Sequence, residues 1–296
     1  MISIVICSIN SDYLSQVKEN ISSTIGIEYE LLIWNNLHEG KGICEVYNLM
    51  AEKARFNIIS FLHEDIIFQT KDWGAKVLKI FSEHPGTGVL GVAGSKYKSD
   101  VYSGWFTGIK EFDCANVIHR YKHGDELNYL TPTDRPVLED VVCLDGVFIC
   151  SRKSVWEEVK FDQTNLNGFH FYDIDFSLRA SKHCVVSVTY EIGIVHITRG
   201  GDFGNNWVST AIDYHFLSKN LLPASILPMV PVSVNKVIFI TWLDVLKKYN
   251  ISWKNKWKWI MGQQLFRHVS LLYPIAKFLF YKPLGLRYIH KILRKK

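Results

Sequence analysis

Apolar runs and helix-like stretches take turns along the first third of the chain. The order is Ile2 to Cys7, a polar stretch, Glu30 to Trp34, a helical pattern from about Ile43 to Arg55, and then Asn57 to Leu62. Short apolar runs bounded by polar clusters read as strands, and their alternation with helical segments is βαβαβ order. That order predicts an α/β fold with a mostly parallel central sheet flanked by helices, in which ligands bind beyond the carboxyl ends of the strands. Three of those ends carry polar groups: Ser8-Ile9-Asn10, Asn35-Asn36 and His63-Glu64-Asp65.

Further along, a helix is expected over Trp73 to Glu83, stopped by Pro85 and Gly86, with a strand over Val89 to Ala93. Residues 95 to 138 are rich in Gly, Asp, Lys and aromatics without sustained periodicity, the pattern of a long substrate loop with short strands. Val141 to Cys150 reads as one strand containing Asp145-Gly146, followed by a helix that Ser154 would cap. Gly168 to Asp175 opens a helix through Ala180, which puts Asp173 and Asp175 in or near its first turn, where carboxylates favour the positive end of the helix dipole. Val185 to Tyr190 and Ile192 to His196 are two more strand candidates.

Composition narrows the class. A chain of 296 residues accommodates one catalytic domain of roughly 200 residues plus an appendage. At 48% hydrophobic and 21% charged residues it is globular, not disordered. The six cysteines form no CxxC pair and several sit in apolar runs, as reduced core residues do. The start lacks the basic, small-residue pattern of a signal peptide, so a cytoplasmic protein is expected. Charge is unevenly spread: residues 244 to 296 hold 13 Lys/Arg and only Asp244, or +12, which against a chain total of +5 leaves −7 for the rest. An acidic body suits metal binding, and a basic, aromatic tail suits an anionic surface.

The candidate chemistry sits at the strand ends. His63-Glu64-Asp65 follows an apolar strand and offers a hard carboxylate beside an imidazole, a donor set that favours Mn²⁺ or a similar ion over Mg²⁺. Ile194 to Gly201 ends a strand with His196, then supplies Arg199, whose fork matches phosphate oxygens, and two permissive glycines. Asp173 and Asp175 lie two apart, so at most one faces a given site, where a carboxylate acts as a general base on a hydroxyl; the other reads as a helix cap. Gly86 to Gly91 matches GxGxxG literally but leads from a helix into a strand, the reverse of a phosphate-binding loop, and reads as a turn. No P-loop, HExxH or GxSxG is present, which argues against P-loop NTPases, zincins and serine hydrolases.

Taken in order, ISIVICSIN, the helix with Asn48-Leu49-Met50-Ala51, FLHEDI, LDGVFICSRKSVW and GFHFYDIDFSLRA resemble the inverting glycosyltransferases of the GT-A fold, in their bacterial "glycosyltransferase-like" branch, over about residues 1 to 215. The resemblance implies a catalytic domain over 1–215 and a basic, Trp-rich helical appendage over 216–296. It implies metal ligation by His63, Asp65 and His196, with Mn²⁺ or Mg²⁺. It also implies Asp173 as base, and contacts to a nucleotide-diphosphate sugar from Ser8, Asn10, Asn35, Asn48, Glu64, Asp145, Gly146 and Arg199. Transfer would go to a hydroxyl of a glycan or lipid-linked acceptor in polysaccharide assembly. Three positions depart from the family pattern: His63 stands for the first DxD aspartate, Asn35 for a common acidic residue, and Tyr172 for the glutamate beside the base. They leave open a catalytically degenerate sugar-nucleotide-binding or scaffold subunit, while a nucleotidyltransferase would want a Gly-rich basic loop that Ser8 to Leu14 lacks.

In the tail, Trp253, Trp257 and Trp259 alternate with Lys254, Lys256 and Lys258, and Trp253, Trp257, Ile260 and Met261 are spaced to share a face. No run has the length of a membrane span, and Trp flanked by Lys is the pattern of a helix lying in an anionic interface on the inner face of a membrane. Packing of that stripe on the protein itself is the competing expectation, and no nucleic acid partner is expected.

Overall fold

The computed structural model describes residues 1–121, 126–129, 136–198 and 203–281. In chain order the elements are β1 (Ile2–Ser8), α1 (Ser11–Thr24), β2 (Tyr29–Asn35), α2 (Ile43–Ala51), β3 (Ile58–Leu62), β4 (Ile66–Phe68), α3 (Trp73–Glu83) and β5 (Thr87–Gly91). Short strands follow: β6 (Ala93–Ser95), β7 (Tyr97–Lys98), β8 (Asp113–Ala115), β9 (Val117–Tyr121), β10 (Glu126–Tyr129), β11 (Leu138–Val141) and β12 (Cys143–Leu144). The rest are β13 (Phe148–Arg152), α4 (Lys153–Val159), α5 (Tyr172–Ala180), β14 (Val185–Thr189), β15 (Ile194–Thr198), α6 (Asn205–Leu217), β16 (Ala224–Ser225), α7 (Ser233–Leu246), α8 (Trp253–Met261) and α9 (Leu272–Phe280).

Among the described residues a seven-stranded sheet runs in the order β11-β14-β5-β13-β3-β1-β2. β13 is antiparallel to β3 and β5, β11 is antiparallel to β14, and the other neighbours pair in parallel, so five of the seven strands point one way. The reversal comes from Val141–Cys150, which is not one strand. It breaks after β12, turns through Asp145-Gly146-Val147, and re-enters the sheet as β13 between β3 and β5. The turn therefore lies at the carboxyl edge of β3, where His63 N donates to Val147 O at 3.3 Å. A second sheet, β10-β9-β15-β4, carries His196 opposite Ile66 on one side and His119 on the other.

The polar stretch after β1 is α1. Its helical form follows from Asn10, whose Oδ1 accepts from Asp12 N and Tyr13 N at 3.0 and 3.1 Å, and from an inward line of Val17, Ile21 and Ile25. One face of the main sheet buries Ile2, Ile4 and Ile6 against Val17 and Ile21 of α1 and Trp73 and Val77 of α3. Each such side chain taken wholly from water contributes about 1.5–3 kcal/mol. The other face is aromatic: Tyr47 of α2 meets Phe61 of β3 at 5.0 Å, and Phe161 stacks on Phe176 of α5 at 4.4 Å. Ser154 does not cap α4. The helix begins at Lys153 after Arg152, whose side chain makes no cap bond.

The chain divides into two compact units, one of residues 1–98, 104–201 and 220–230, the other of 99–103, 202–219 and 231 onward. In the second, Trp207 of α6 stacks on Trp242 of α7 at 4.8 Å, and Phe239 of α7 on Trp259 of α8 at 5.2 Å. Ile260 is buried in this unit, so it does not share the outer face of α8, where Trp253, Trp257 and Met261 are 52%, 47% and 42% exposed. Lys256 also turns inward, its Nζ donating to Phe278 O and Tyr281 O at 3.0 and 2.9 Å. Among the described residues no helix is long and apolar enough to cross a membrane.

Candidate functional site

The sheet's carboxyl edge is tied together by Glu64. Ser8 Oγ donates to Glu64 Oε2 at 2.5 Å, and Ile9 N and Asn10 N donate to the same oxygen at 3.2 and 3.1 Å. The carboxylate thus holds the β1–α1 turn against the chain leaving β3, while Asn10 caps α1. Asn35 lies at the end of β2 directly beside Ser8, exposed, its Oδ1 accepting from Leu37 N at 3.1 Å. Ser8, Asn10, Asn35 and Glu64 are therefore neighbours.

Asn48 does not join them. It is buried in α2 with both ends of its amide engaged: Nδ2 donates to Phe161 O and Gln163 Oε1 at 2.8 and 3.0 Å, and Oδ1 accepts from Phe161 N and Trp156 Nε1 at 3.0 and 3.2 Å. An amide filled in this way is scaffold, which corrects the expectation that it contacts a sugar nucleotide. Arg199 lies outside the described residues.

His63, Glu64 and Asp65 form the link that carries the chain from β3 in one sheet to β4 in the other. His196 is not at a strand end as the sequence suggests; it is the central residue of β15, which the second sheet lays beside that link. Asp65 Oδ1 lies 3.3 Å from His196 Nε2 and 3.9 Å from His63 Nδ1, and one donor atom from each of the three residues falls within 4.8 Å of the others. Donors about 2.0–2.2 Å from a shared ion are separated by about 3–4 Å, so the set fits a divalent cation after a small contraction. His196 Nδ1 is buried with no hydrogen-bond partner among the described residues. Burial would raise Asp65, but the hydrogen bond and charge of His196, then His63, hold its carboxyl below the usual range. Burial drives His63 down, against the pull of Asp65. Burial lowers His196 too, but its hydrogen bond to Asp65 and that charge raise it; a low carboxyl and a neutral imidazole are the forms that ligate metal, so His196 must release a proton to join Asp65 and His63.

Asp173 sits on the other side of the turn before β13. Phe171, buried and in the left-handed region at φ 67°, precedes α5 and sets the direction of its first turn. From there Asp173 Oδ2 accepts from Gly146 N at 2.7 Å and Oδ1 from Ile174 N at 2.9 Å. Burial, then the charge of Asp145, push its carboxyl up to about 7. Asp145 Oδ1 accepts from Val147 N at 2.9 Å, holding the turn that presents Gly146. Asp175 faces elsewhere, paired with Arg179 at 2.6 Å. Three further residues belong to this region. Tyr172 Oη is 2.8 Å from His63 Nε2, the exposed Phe169 ring is 5.5 Å from the His63 ring, and the His119 ring is 5.3 Å from that of His196. Sequence reasoning missed His119 because only the β9–β15 pairing brings it there.

The arrangement joins a trio of metal-ligating groups, a carboxyl poised near neutrality, and loop ends able to receive a ligand at one sheet edge. No curated protein sequence matches this one. The fold is similar to that of S. aureus TarS: to its residues 1–349 with a TM-score of 0.50 at 10% identity, covering 99% of this chain and 91% of that one. Against the longer TarS chain the TM-score is 0.51 at 11% identity, covering 90% of this chain and 48% of that one. The α/β, GT-A expectation is the fold found. The glycosyltransferase-like family matches residues 3–215, which take in every strand of both sheets and all the site residues named above, and the chain belongs to that family.

Proposed function

We propose that this glycosyltransferase moves a sugar from a nucleoside-diphosphate donor to a hydroxyl of a glycan or lipid-linked acceptor, with inversion and with a divalent cation, Mn²⁺ or Mg²⁺, held by His63, Asp65 and His196. The observation that carries the reading is that Asp173, near neutrality, is hydrogen-bonded to Gly146 of the turn that also abuts the His63 strand end. When bound, the cation neutralises charge on the departing diphosphate. The chain's own residues do the rest. Ser8, Asn10 and Asn35 border the nucleotide, with Glu64 holding their backbone in place. Asp145 and Gly146 shape the turn beside the sugar, and Arg199 reaches a phosphate. Asp173 accepts the acceptor's hydroxyl proton as that oxygen forms the new bond to the anomeric carbon. Residues 1–215 are the catalytic part and 216–296 the appendage, whose basic aromatic surface meets an anionic membrane.

Tyr172, where a carboxylate would be expected, favours a second reading, a subunit that binds the donor without turning it over. Incubation with UDP-, GDP-, dTDP- and CMP-sugars with and without Mn²⁺ separates the two. Metal-dependent release of a nucleoside diphosphate from one donor, lost in Asp173→Asn, is expected. Binding of a donor with no release under any condition would establish the second reading, and release of pyrophosphate would indicate nucleotidyl transfer instead.

A further inference from the structure

Tyr172 makes two contacts that the roles above leave unused. Its hydroxyl lies 2.8 Å from His63 Nε2 and 3.1 Å from the Gly146 carbonyl oxygen. A carbonyl oxygen only accepts, and a neutral phenol has one proton to give. With that proton on Gly146 O, or on Tyr47 Oη, which is also within its reach, the hydroxyl turns a lone pair to His63, and Nε2 is then the protonated nitrogen of the ring. Nδ1 then carries the free lone pair, and Nδ1 is the atom facing Asp65 Oδ1 across 3.9 Å. That gap is too long for an N–H···O bond, as it should be where Nδ1 bears no hydrogen, and wide enough for an ion about 2.0–2.2 Å from each donor.

The glycine is part of the device. A Cβ at position 146 would stand 2.0 Å from Tyr172 Oη and 2.5 Å from Cζ, so no other residue admits the hydroxyl there. Gly146 N meanwhile donates to Asp173 Oδ2 at 2.7 Å, so one residue fixes both the His63 side and the Asp173 side of the site. The Tyr172 ring is buried against Tyr47 at 5.7 Å and Phe161 at 6.1 Å, which leaves its hydroxyl little freedom to swing away.

We propose that Tyr172 is a positioning residue. It holds His63 in the Nε2–H tautomer through a hydroxyl oriented by Gly146, and so presents Nδ1 to a divalent cation shared with Asp65 and His196. The proposal rests on the metal reading of those three residues. It explains why a tyrosine stands at this position: a histidine in place of the first carboxylate of the metal motif has two tautomers, and a partner on its far nitrogen selects the one that ligates. Partners of this kind are worth about 10–100-fold in metal affinity.

The tautomer is read directly in metal-free protein labelled with ¹⁵N-histidine, by long-range ¹H–¹⁵N correlation. His63 is expected to be protonated at Nε2 in the wild type and to shift toward a mixture in Tyr172→Phe, which removes one oxygen and keeps the packing. Mn²⁺ affinity, measured by electron paramagnetic resonance without donor, should fall about tenfold or more in Tyr172→Phe. It should also fall in Gly146→Ala, which displaces the hydroxyl by a different route. A His63 protonated at Nδ1 in the wild type overturns the proposal. So does a Tyr172→Phe protein that keeps both tautomer and affinity, which leaves the metal reading standing. Wild-type protein that binds no Mn²⁺ overturns the metal reading and the cation's place in this one.

Discussion

Asp173 is held at a cost to stability. Its carboxyl is ordinary in the unfolded chain, at 3.8, and raised to about 7 in the fold by burial and by Asp145. Between those values the folded state keeps a proton that the unfolded state has released, so this group's contribution to stability is most favourable below pH 3.8, falls as pH rises through the interval, and levels off above about 7. Replacing Asp173 with Asn removes the buried charge while leaving an oxygen for the Gly146 N–H. Above pH 7 the variant should be more stable by roughly 1–3 kcal/mol, or about 2–4 °C in Tm for each kcal/mol, while transfer is lost. In the wild type, transfer at saturating donor should rise with pH through about 7 as the base loses its proton. Melting curves of both proteins from pH 5 to 8 check the first part, and a variant destabilised at pH 8 would remove the strained-base account. The residue was legible in the sequence as a carboxylate in a first helical turn. Its partner Gly146 was legible only as a family position, because 27 residues separate the two and a turn inside an apolar run joins them.

At the scale of elements, periodicity located the main-sheet strands β1, β2, β3, β5 and β14 and the helices α2 to α5, and failed where polar chemistry interrupts it. Trp73–Glu83 is helical as its spacing predicts. Val141–Cys150 is apolar but for Asp145-Gly146 and reads as one strand, yet it is divided at Val142 and again at Asp145–Val147 among β11, β12 and β13, and the site is built on the second break. Helix α8 shows the opposite case, where a stripe visible in sequence is real but one member was misplaced. Heptad-like spacing put Ile260 with the tryptophans, whereas packing on the second unit's interior claims Ile260 and leaves Trp253, Trp257 and Met261 outside. Trp253 and Trp257 stack at 6.2 Å, with Lys254 and Lys258 exposed beside them. On the proposed membrane reading, this half-exposed aromatic pair flanked by lysines would sit at the headgroup level of an anionic bilayer. Flotation of the full chain with vesicles containing phosphatidylserine should be strong at low salt and weaker at high salt, and it should drop at least tenfold in the Trp253→Ser, Trp257→Ser double variant. Equal flotation of the variant would assign the stripe to another partner.

For the whole molecule, the two sheets share one hydrophobic core, and His63-Glu64-Asp65 is a covalent link between them: it leaves β3 of the main sheet and enters β4 of the second, whose neighbour β15 contributes His196. The proposed cation would therefore join groups carried by both sheets, and because the unfolded chain offers no such site, its binding free energy would add to that of folding. The order of segments made the fold legible. The pairing of β15 with β4 was not, because it joins residues more than a hundred positions apart and no local pattern encodes it. The consequence is thermodynamic. A matching nucleoside-diphosphate sugar at about one hundred times its Kd, with Mn²⁺ present, stabilises the native state by about 2.7 kcal/mol, which is a rise of about 5–10 °C in the melting of a unit this size. Chelation with EDTA should abolish that rise, and Asp65→Ala, which removes the carboxylate shared by both histidines, should abolish it with Mn²⁺ present. A donor that stabilises equally in EDTA would show that nucleotide recognition does not pass through this trio, and would return His63, Asp65 and His196 to the role of a hydrogen-bonded seam between the sheets.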